Sequence, residues 1–387
     1  MGDALVVRAG RVVSSPDGPA PAAPTPRRVT VRDGVIESIG DDAGPLPPGA
    51  NVVGSGSETV VAGLWNTHVH LTPRALAGAR RRPPAELESA LGELLTSHGF
   101  TTVVDLGSDP RNTLPLRRRV ESGEVAGPRI LTATTALHPH RGLPFYTRAA
   151  VPRHLWWAIP TPRTPGRAAA VVRRQTRRGA DVTKLFTGSY ITPQRVKPMR
   201  TDIATAAVRV AHEHGRLVFA HASNREGLQV ALDAGVDVIA HVPDETDGVA
   251  PLLRRAAESG VVMVPTFQMF ARTVTDDPAY LEPILDAARG FLEAGGRMMF
   301  GTDVGYMEDP TIGDEVAYLR RCGLDGAELL RMFTTTPADL FGGLGGRVEP
   351  GLPGDLTIFD GDPLTDPAAY SRVLWTIRGG RVVSSVR

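Results

Sequence analysis

The sequence predicts an α/β protein, a distorted (β/α)8 TIM barrel with a small β-sandwich domain formed by both termini. Three observations carry this expectation. From about residue 60, short β-branched runs alternate with longer helical stretches, the pattern of parallel βαβ units. Eight such runs follow one another over roughly 250 residues, the span of one barrel. Both chain ends read as short strands and echo each other, AGRVVSS near the start and GGRVVSS at the close.

The opening runs are ALVVRAGRVV, RRVTVRDGVIESIG and NVVGSGSETVVAG. Their alternating apolar positions, with the pair Asp33-Gly34, favour antiparallel hairpins. A Pro- and Ala-rich loop over residues 16–26 is expected to be exposed and mobile. The barrel strands are expected in VVAGLWNTHVH, TTVVDLG, PRILTATT, DVTKLF, LVFAHA, VDVIAHV, VVMVPTF and MMFGTDVG. Helices are expected in PAELESALGELLTSHG, TDIATAAVRVAHEHG and REGLQVALDAG, each closed by a glycine, as helix ends often are. After residue 345 come GDLTIFD, RVLWTIRGG and RVVSSVR, with Gly379-Gly380 as a hairpin turn. The expected division is a composite β-sandwich domain from residues 1–60 and 345–387, and a catalytic barrel over 61–344.

Composition narrows the function classes. Of 387 residues, 42% are hydrophobic and 22% charged, ordinary for a soluble protein. A chain of this length buries a large core without disulfides. It holds a single cysteine, Cys322, which suits a reducing compartment. The net charge of +1 makes no electrostatic case for nucleic acid or an anionic membrane. No apolar run approaches the roughly 20 residues of a membrane helix. The start, MGDALVVRAGRVV, lacks the charged and apolar regions of a secretory signal. A cytoplasmic protein acting on a small molecule is expected, and a homo-oligomer is compatible with it.

The chemistry lies at the strand ends. In HVH, His68 and His70 are two apart on a strand and so face one side. Two imidazoles at a barrel mouth suit a metal ion, although the pair alone does not specify one. Lys184 in DVTKLF, His221 in VFAHA, His241 in VIAHV and Asp303 in MFGTDVG also end apolar strands. An ionisable group there is costly unless it is paired or ligated. By strand count these fall on strands 4, 5, 6 and 8, all able to point to one end of the barrel.

With HVH followed by Lys, His, His and Asp on later strands, the chain resembles the amidohydrolase superfamily of binuclear-metal type, in its imidazolonepropionase-like and prolidase-like branch. The resemblance covers nearly the whole chain, including the closing stretch RVEPGLPGDLTIFDGDPL. It implies that His68, His70 and Asp303 hold one divalent ion and that His221 and His241 hold another. Lys184 would join the two as a carbamate. Zinc is the first choice, and the same ligands admit manganese, iron or cobalt. A lysine beside two cations and an apolar wall has a depressed pKa, so its neutral amine can take up carbon dioxide. The implied activity is hydrolysis of an amide C–N bond in a dipeptide, N-acyl amino acid or cyclic amide. A hydroxide held between the metals would attack, with Asp303 as general acid/base.

The chain departs from the family pattern at Asn66, often Asp, and at Ala240, often Glu; both positions can tune the metal's surroundings. The loop after strand 3, ALHPHRGLPFYTR, offers His138, His140, Arg141 and Tyr146 for substrate contact. The loop after strand 4 offers Tyr190 and Arg195, which resemblance to peptidases assigns to a substrate carboxylate. The same metal site would also serve a cyclisation, dehydration, decarboxylation or deamination in a specialised biosynthetic pathway. A non-enzymatic scaffold fits less well, because all six metal positions are filled. Cys322 is expected to be simple packing.

Overall fold

The computed structural model describes residues 4–18, 26–275 and 277–386. Most of the loop expected over 16–26 lies outside the described residues.

The barrel strands fall where the β-branched runs place them. Leu64–Val69, Phe100–Asp105 and Arg129–Thr132 form one parallel sheet. Thr183–Phe186, Val218–His221, Val238–Ala240 and Val262–Val264 form the second. Backbone bonds join them: Asp181 N–H donates to Thr132 O at 2.8 Å, and Leu137 bridges Leu185. The helices expected from sequence appear as Pro84–Leu94, Thr201–Glu213 and Arg225–Ala234, the last closed by Gly235 in the left-handed region (φ 81°).

Two strand expectations are corrected. MMFGTDVG is not a continuous eighth strand. Met298 bridges Met263 and Val304 bridges Val69, while Thr67 N–H donates to Phe300 O (2.8 Å) and His70 N–H to Val304 O (2.7 Å). The barrel therefore closes, but through a broken ladder. The cause lies in the backbone, since Asp303 adopts φ 61°, which no strand residue can. The run VVAGLWNTHVH is likewise two strands. Thr59–Ala62 pairs with Leu356–Phe359, and Leu64–Val69 enters the barrel. Gly63 sits at the joint, where a Cβ would lie 2.2 Å from Thr101 Oγ1.

The chain ends build two sheets. One orders Val35–Asp41, Arg27–Arg32, Leu5–Ala9 and Asn51–Val53; the other orders Arg381–Ser385, Val373–Arg378, Leu356–Phe359, Thr59–Ala62 and Arg11–Val12. They share one apolar cluster that includes Val7, Val29, Val31, Val60, Leu356 and Ile377. Both expected turns are present, Asp33-Gly34 at φ 50° and 81° and Gly379-Gly380 at φ 55° and 74°.

A buried layer inside the barrel contains Val104, Val182, Phe219, Val238, Val262 and Met299. Val182 is two residues before Lys184 and Phe219 two before His221. Strand periodicity therefore puts each polar residue on the same face as its apolar predecessor. An apolar floor thus lies one layer below the polar mouth. At the barrel's flank an aromatic column runs through Phe100, Phe300, Phe333 and Tyr370, with ring centroids 5.9, 4.0 and 4.7 Å apart. It locks the eighth segment against the second strand and against helix Gly326–Phe333. Phe333→Ala is expected to cost about 3–5 kcal/mol of stability. Chemical denaturation measures this, and a loss under about 1 kcal/mol would mean the column does not brace the closure.

Candidate metal centre

Strand geometry delivers the ligand candidates to one place. His68 and His70 leave the first strand on one side, with ring centroids 5.6 Å apart. His241 ends the sixth strand, its ring 4.5 Å from His68 and 4.8 Å from His221. Asp303 faces all three of its histidine neighbours. Its Oδ1 lies 3.0 Å from His70 Nε2 and 3.4 Å from His68 Nε2, and its Oδ2 lies 3.8 Å from His241 Nε2. Ligand atoms of His68, His70 and Asp303 all fall within 4.8 Å of one another.

Neighbouring groups set each tautomer. The Gly107 carbonyl only accepts, so His70 carries a proton on Nδ1 (2.8 Å) and turns Nε2 toward Asp303 Oδ1 at 3.0 Å. Thr266 donates its hydroxyl to Pro265 O at 2.8 Å. Its oxygen therefore accepts from His241 Nδ1 at 2.6 Å, and His241 Nε2 is free. Ser223 directs its hydroxyl to Gly188 O at 3.5 Å, so its oxygen accepts from His221 Nε2 at 2.9 Å, which leaves Nδ1. Such outer bonds orient metal-binding imidazoles.

Burial governs the charge. It holds His68, His221 and His241 well below the usual histidine range, reinforced by neighbouring positive groups, so these rings are neutral. His70 goes the other way: burial lowers it, but the hydrogen bond and charge of Asp303, joined by Asp105, prevail and raise it. Lys184 is 2% exposed, and burial pushes it down to about 7 against the pull of Asp303. Its Nζ has no hydrogen-bond partner, and neither does His68 Nδ1. Orphaned buried polar atoms are rare and costly. Two of them, converging with neutral imidazoles and the Asp303 carboxylate, fit a cation site.

Backbone strain collects at the same rim. Thr134, His241, Thr266 and Asp303 have φ of 62°, 79°, 54° and 61°, beyond the ends of the third, sixth, seventh and eighth barrel segments. Each such residue costs on the order of 1–3 kcal/mol and persists where its surroundings over-determine it.

The loop candidates separate. His138 is buried with an unpartnered Nδ1 and stacks on Phe186 (4.3 Å), which stacks on His221 (4.5 Å). Burial first, then the Lys184 charge, lowers His138 to about 3. His140 also has an unpartnered Nδ1, while Lys197 donates to its carbonyl. Tyr146 packs on Tyr306, ring to ring at 5.3 Å, and feels the charge of Asp303. Tyr190 donates its hydroxyl to Asp244. Arg141 and Arg195 are exposed, the latter in strand Arg195–Pro198 of a hairpin with Gly188–Thr192. Cys322 is buried with its thiol pushed up to about 12, in keeping with packing.

Several site residues escaped the sequence reading. Asp105 ends the second strand, accepts the hydroxyls of Ser108 and Thr132, and raises His70. Its signal was the one used for the others, an ionisable group closing an apolar strand. Thr266, Ser223, Asp244 and Tyr280 carry no comparable signal. Asn66 is fully buried and touches backbone rather than imidazole. Its Oδ1 accepts from the amides of His68 (3.3 Å) and Thr302 (3.2 Å), and its Nδ2 donates to Thr302 Oγ1 (2.8 Å). Among the described residues, no helix is long and apolar enough to cross a membrane.

The amidohydrolase family profile matches residues 59–383, and the chain belongs to that family. It is 30% identical over 304 residues to an uncharacterized protein of Mycobacterium tuberculosis, across 71% of this chain and 74% of that one. It is 24% identical over 371 residues to ochratoxinase of Aspergillus niger, across 84% and 75%. Among solved structures, a Xaa-Pro dipeptidase with methionine bound in its active site is similar at TM-score 0.81 and 22% identity, covering 99% of this chain and 100% of that one. These likenesses establish the barrel with its terminal sheets.

Two outcomes test the supporting contacts. Thr266→Val removes the acceptor of His241 Nδ1 and is expected to weaken metal affinity about 10–100-fold. Chelator competition measures it, and unchanged affinity would refute the role. Glu315 is fully buried and accepts Gln268 N–H at 2.6 Å, and burial raises it from the usual 4.5 to about 8. Its retained proton stabilises the fold fully below about pH 4.5, and that contribution is lost as pH rises through about 8. Glu315→Gln is expected to flatten that part of the stability–pH curve. Parallel curves for the two proteins would show that Glu315 is ionised in the fold.

Proposed function

We propose that the chain is a metal-dependent hydrolase that cleaves an amide C–N bond of a small molecule, in the class of dipeptides, N-acyl amino acids and cyclic amides. The observation that carries this reading is the convergence of His68, His70, His241 and Asp303 with the partnerless Lys184 Nζ at one barrel end. A Xaa-Pro dipeptidase and a prolidase complexed with N-methylphosphonate-L-proline share the fold, which lends the dipeptide class weight.

In this reading His68, His70 and Asp303 would hold one divalent ion, zinc first among the choices, and His221 and His241 would hold a second. Lys184 would serve both once carboxylated, its neutral amine adding carbon dioxide and releasing one proton to give an anionic oxygen donor. When bound, the ions supply Lewis-acid polarisation of the scissile carbonyl and a water of lowered pKa. Asp303 Oδ1 is placed to accept a proton and return it to the leaving nitrogen. The Asp303 backbone, held at φ 61°, fixes that oxygen beside His70 Nε2. Burial suppresses the protonation of His68, His221 and His241, so these rings offer lone pairs rather than positive charge. The apolar layer of Phe219, Val262 and Met299 keeps water from below. His138 and His140, each with an unpartnered Nδ1, are proposed to contact substrate, as is Tyr146, whose phenol borders Asp303. Arg141 and Arg195, both exposed, are proposed to meet the part of the substrate that faces solvent.

The test is a panel of dipeptides, N-acyl amino acids, lactams and lactones on protein loaded with zinc and bicarbonate. Water addition is followed by mass spectrometry, and metal content by elemental analysis. Asp303→Asn is expected to lower turnover about 10²–10⁴-fold. Lys184→Ala is expected to abolish turnover, lose one ion per chain, and regain part of both with added short carboxylates. Full turnover in Lys184→Ala would remove the bridging role. No hydrolysis across the panel with two ions bound would overturn the hydrolase reading in favour of non-hydrolytic chemistry.

A further inference from the structure

Beside the metal centre lies a second cluster. Asp244 follows His241 by three residues, on the loop after the sixth strand. Its Oδ2 accepts two phenol hydroxyls, from Tyr190 at 2.9 Å and Tyr280 at 3.0 Å. Tyr190 comes from the hairpin after the fourth strand and Tyr280 from the short helix Pro278–Leu281, so three loops meet on one carboxylate. Asp244 Oδ1 accepts no hydrogen bond from another described residue. Tyr146 feels the charges of both Asp244 and Asp303, which sets the cluster against the metal site. Of six tyrosines in the chain, four (Tyr146, Tyr190, Tyr280 and Tyr306) gather here.

The charge balance of this cluster is unusual. Burial raises Asp244 to about 6, the two phenols hold it down, and Glu245 is the charged neighbour that pushes it further up. It is therefore ionised at neutral pH. Among the described residues it forms no ion pair. Lys197 donates to His140 O and Arg148 to Ile191 O, while Arg225 lies beside Glu245 and Gly248 on the far part of the same loop. Arg141 and Arg195 are exposed. A half-buried carboxylate without a counter-charge, braced by neutral donors that leave one oxygen free, is poorly compensated on its own. A cation arriving with the substrate supplies what is missing, and carboxylates near the mouth disfavour an anionic group at the same point.

We propose that Asp244 is the specificity-determining residue of this site and that it accepts a protonated amine of the substrate on Oδ1 while Tyr190 and Tyr280 hold Oδ2. Within the hydrolase reading, on which the substrate class rests, this selects amides with a free amino group, such as dipeptides, over N-acyl amino acids. It also gives Tyr190 a bracing role in place of the carboxylate contact expected from sequence.

The experiment uses twin substrates, dipeptide amides with a free amino terminus and the same compounds N-acetylated, on the metal-loaded protein. Amine binding is followed separately by calorimetry with leucinamide against N-acetylleucinamide. The free-amine twin is expected to be favoured about 10–100-fold in kcat/KM, the worth of a hydrogen bond to a charged group. Asp244→Asn keeps an acceptor for the phenols but loses the charge, and should collapse that ratio toward one, mainly through KM. Tyr280→Phe keeps the charge and should retain most of the ratio. Thermal melts identify a variant that fails to fold, in which case the wild-type ratio and leucinamide binding decide. Equal use of the twins, preference for the acetylated one, or a ratio unchanged in folded Asp244→Asn overturns the proposal. If neither twin turns over but leucinamide binds and Asp244→Asn abolishes binding, the hydrolase reading falls and the amine site stands. If leucinamide does not bind and free amines are not preferred, the amine site falls.

Discussion

One backbone hydrogen bond, from the amide of Asp303 to the carbonyl of His68 at 2.8 Å, organises the centre. It ties the eighth barrel segment to the first strand at the point where both present their ligands. The broken ladder around it matters, because a regular strand would carry Asp303 through at negative φ and turn its carboxylate elsewhere. Asn66 braces the junction from below by bonding both strands' amides. Gly305 closes it from above, since a Cβ there would lie 1.8 Å from His70 O. The site is thus a consequence of how the barrel closes, and its precision comes from main chain rather than side-chain rotamers.

Burial does the electrostatic work. Removing three imidazoles from water favours their neutral forms, and each outer contact then leaves one lone pair directed inward. The same burial depresses Lys184 and makes its unpartnered nitrogen costly. In water the lysine would be charged and the imidazoles would exchange protons freely near neutral pH. Within the barrel mouth they form a donor set of mixed oxygen and nitrogen character, suited to divalent ions of intermediate hardness.

Much of this is legible in the sequence alone. Seven strand runs and the glycine-closed helices follow from periodicity and end signals, because those are local. Six ionisable residues stood out because apolar strands seldom end in charge. The broken eighth segment was not legible: MMFGTDVG has good strand composition, and its interruption is fixed by Asp303 packing onto His68, a contact across more than 200 residues. Nor was the Asp244 cluster, since Tyr190 and Tyr280 sit 54 and 36 residues away on separate loops. Loop side chains meet through tertiary geometry, and no periodicity announces the meeting. Asp105 carries the same signal as the six, an ionisable group closing an apolar strand.

The interleaving of the chain ends also constrains biogenesis. Thr59–Ala62 lies between Arg11–Val12 and Leu356–Phe359, and the latter emerges roughly 300 residues after its partner. At ordinary elongation rates the early strands wait on the order of tens of seconds for that partner. Throughout that interval they present an unpaired edge, the template on which misassembly starts. The barrel helices and the sheet built from residues 5–53 can form as they leave the ribosome, whereas the sheet around Thr59–Ala62 waits for Leu356–Phe359.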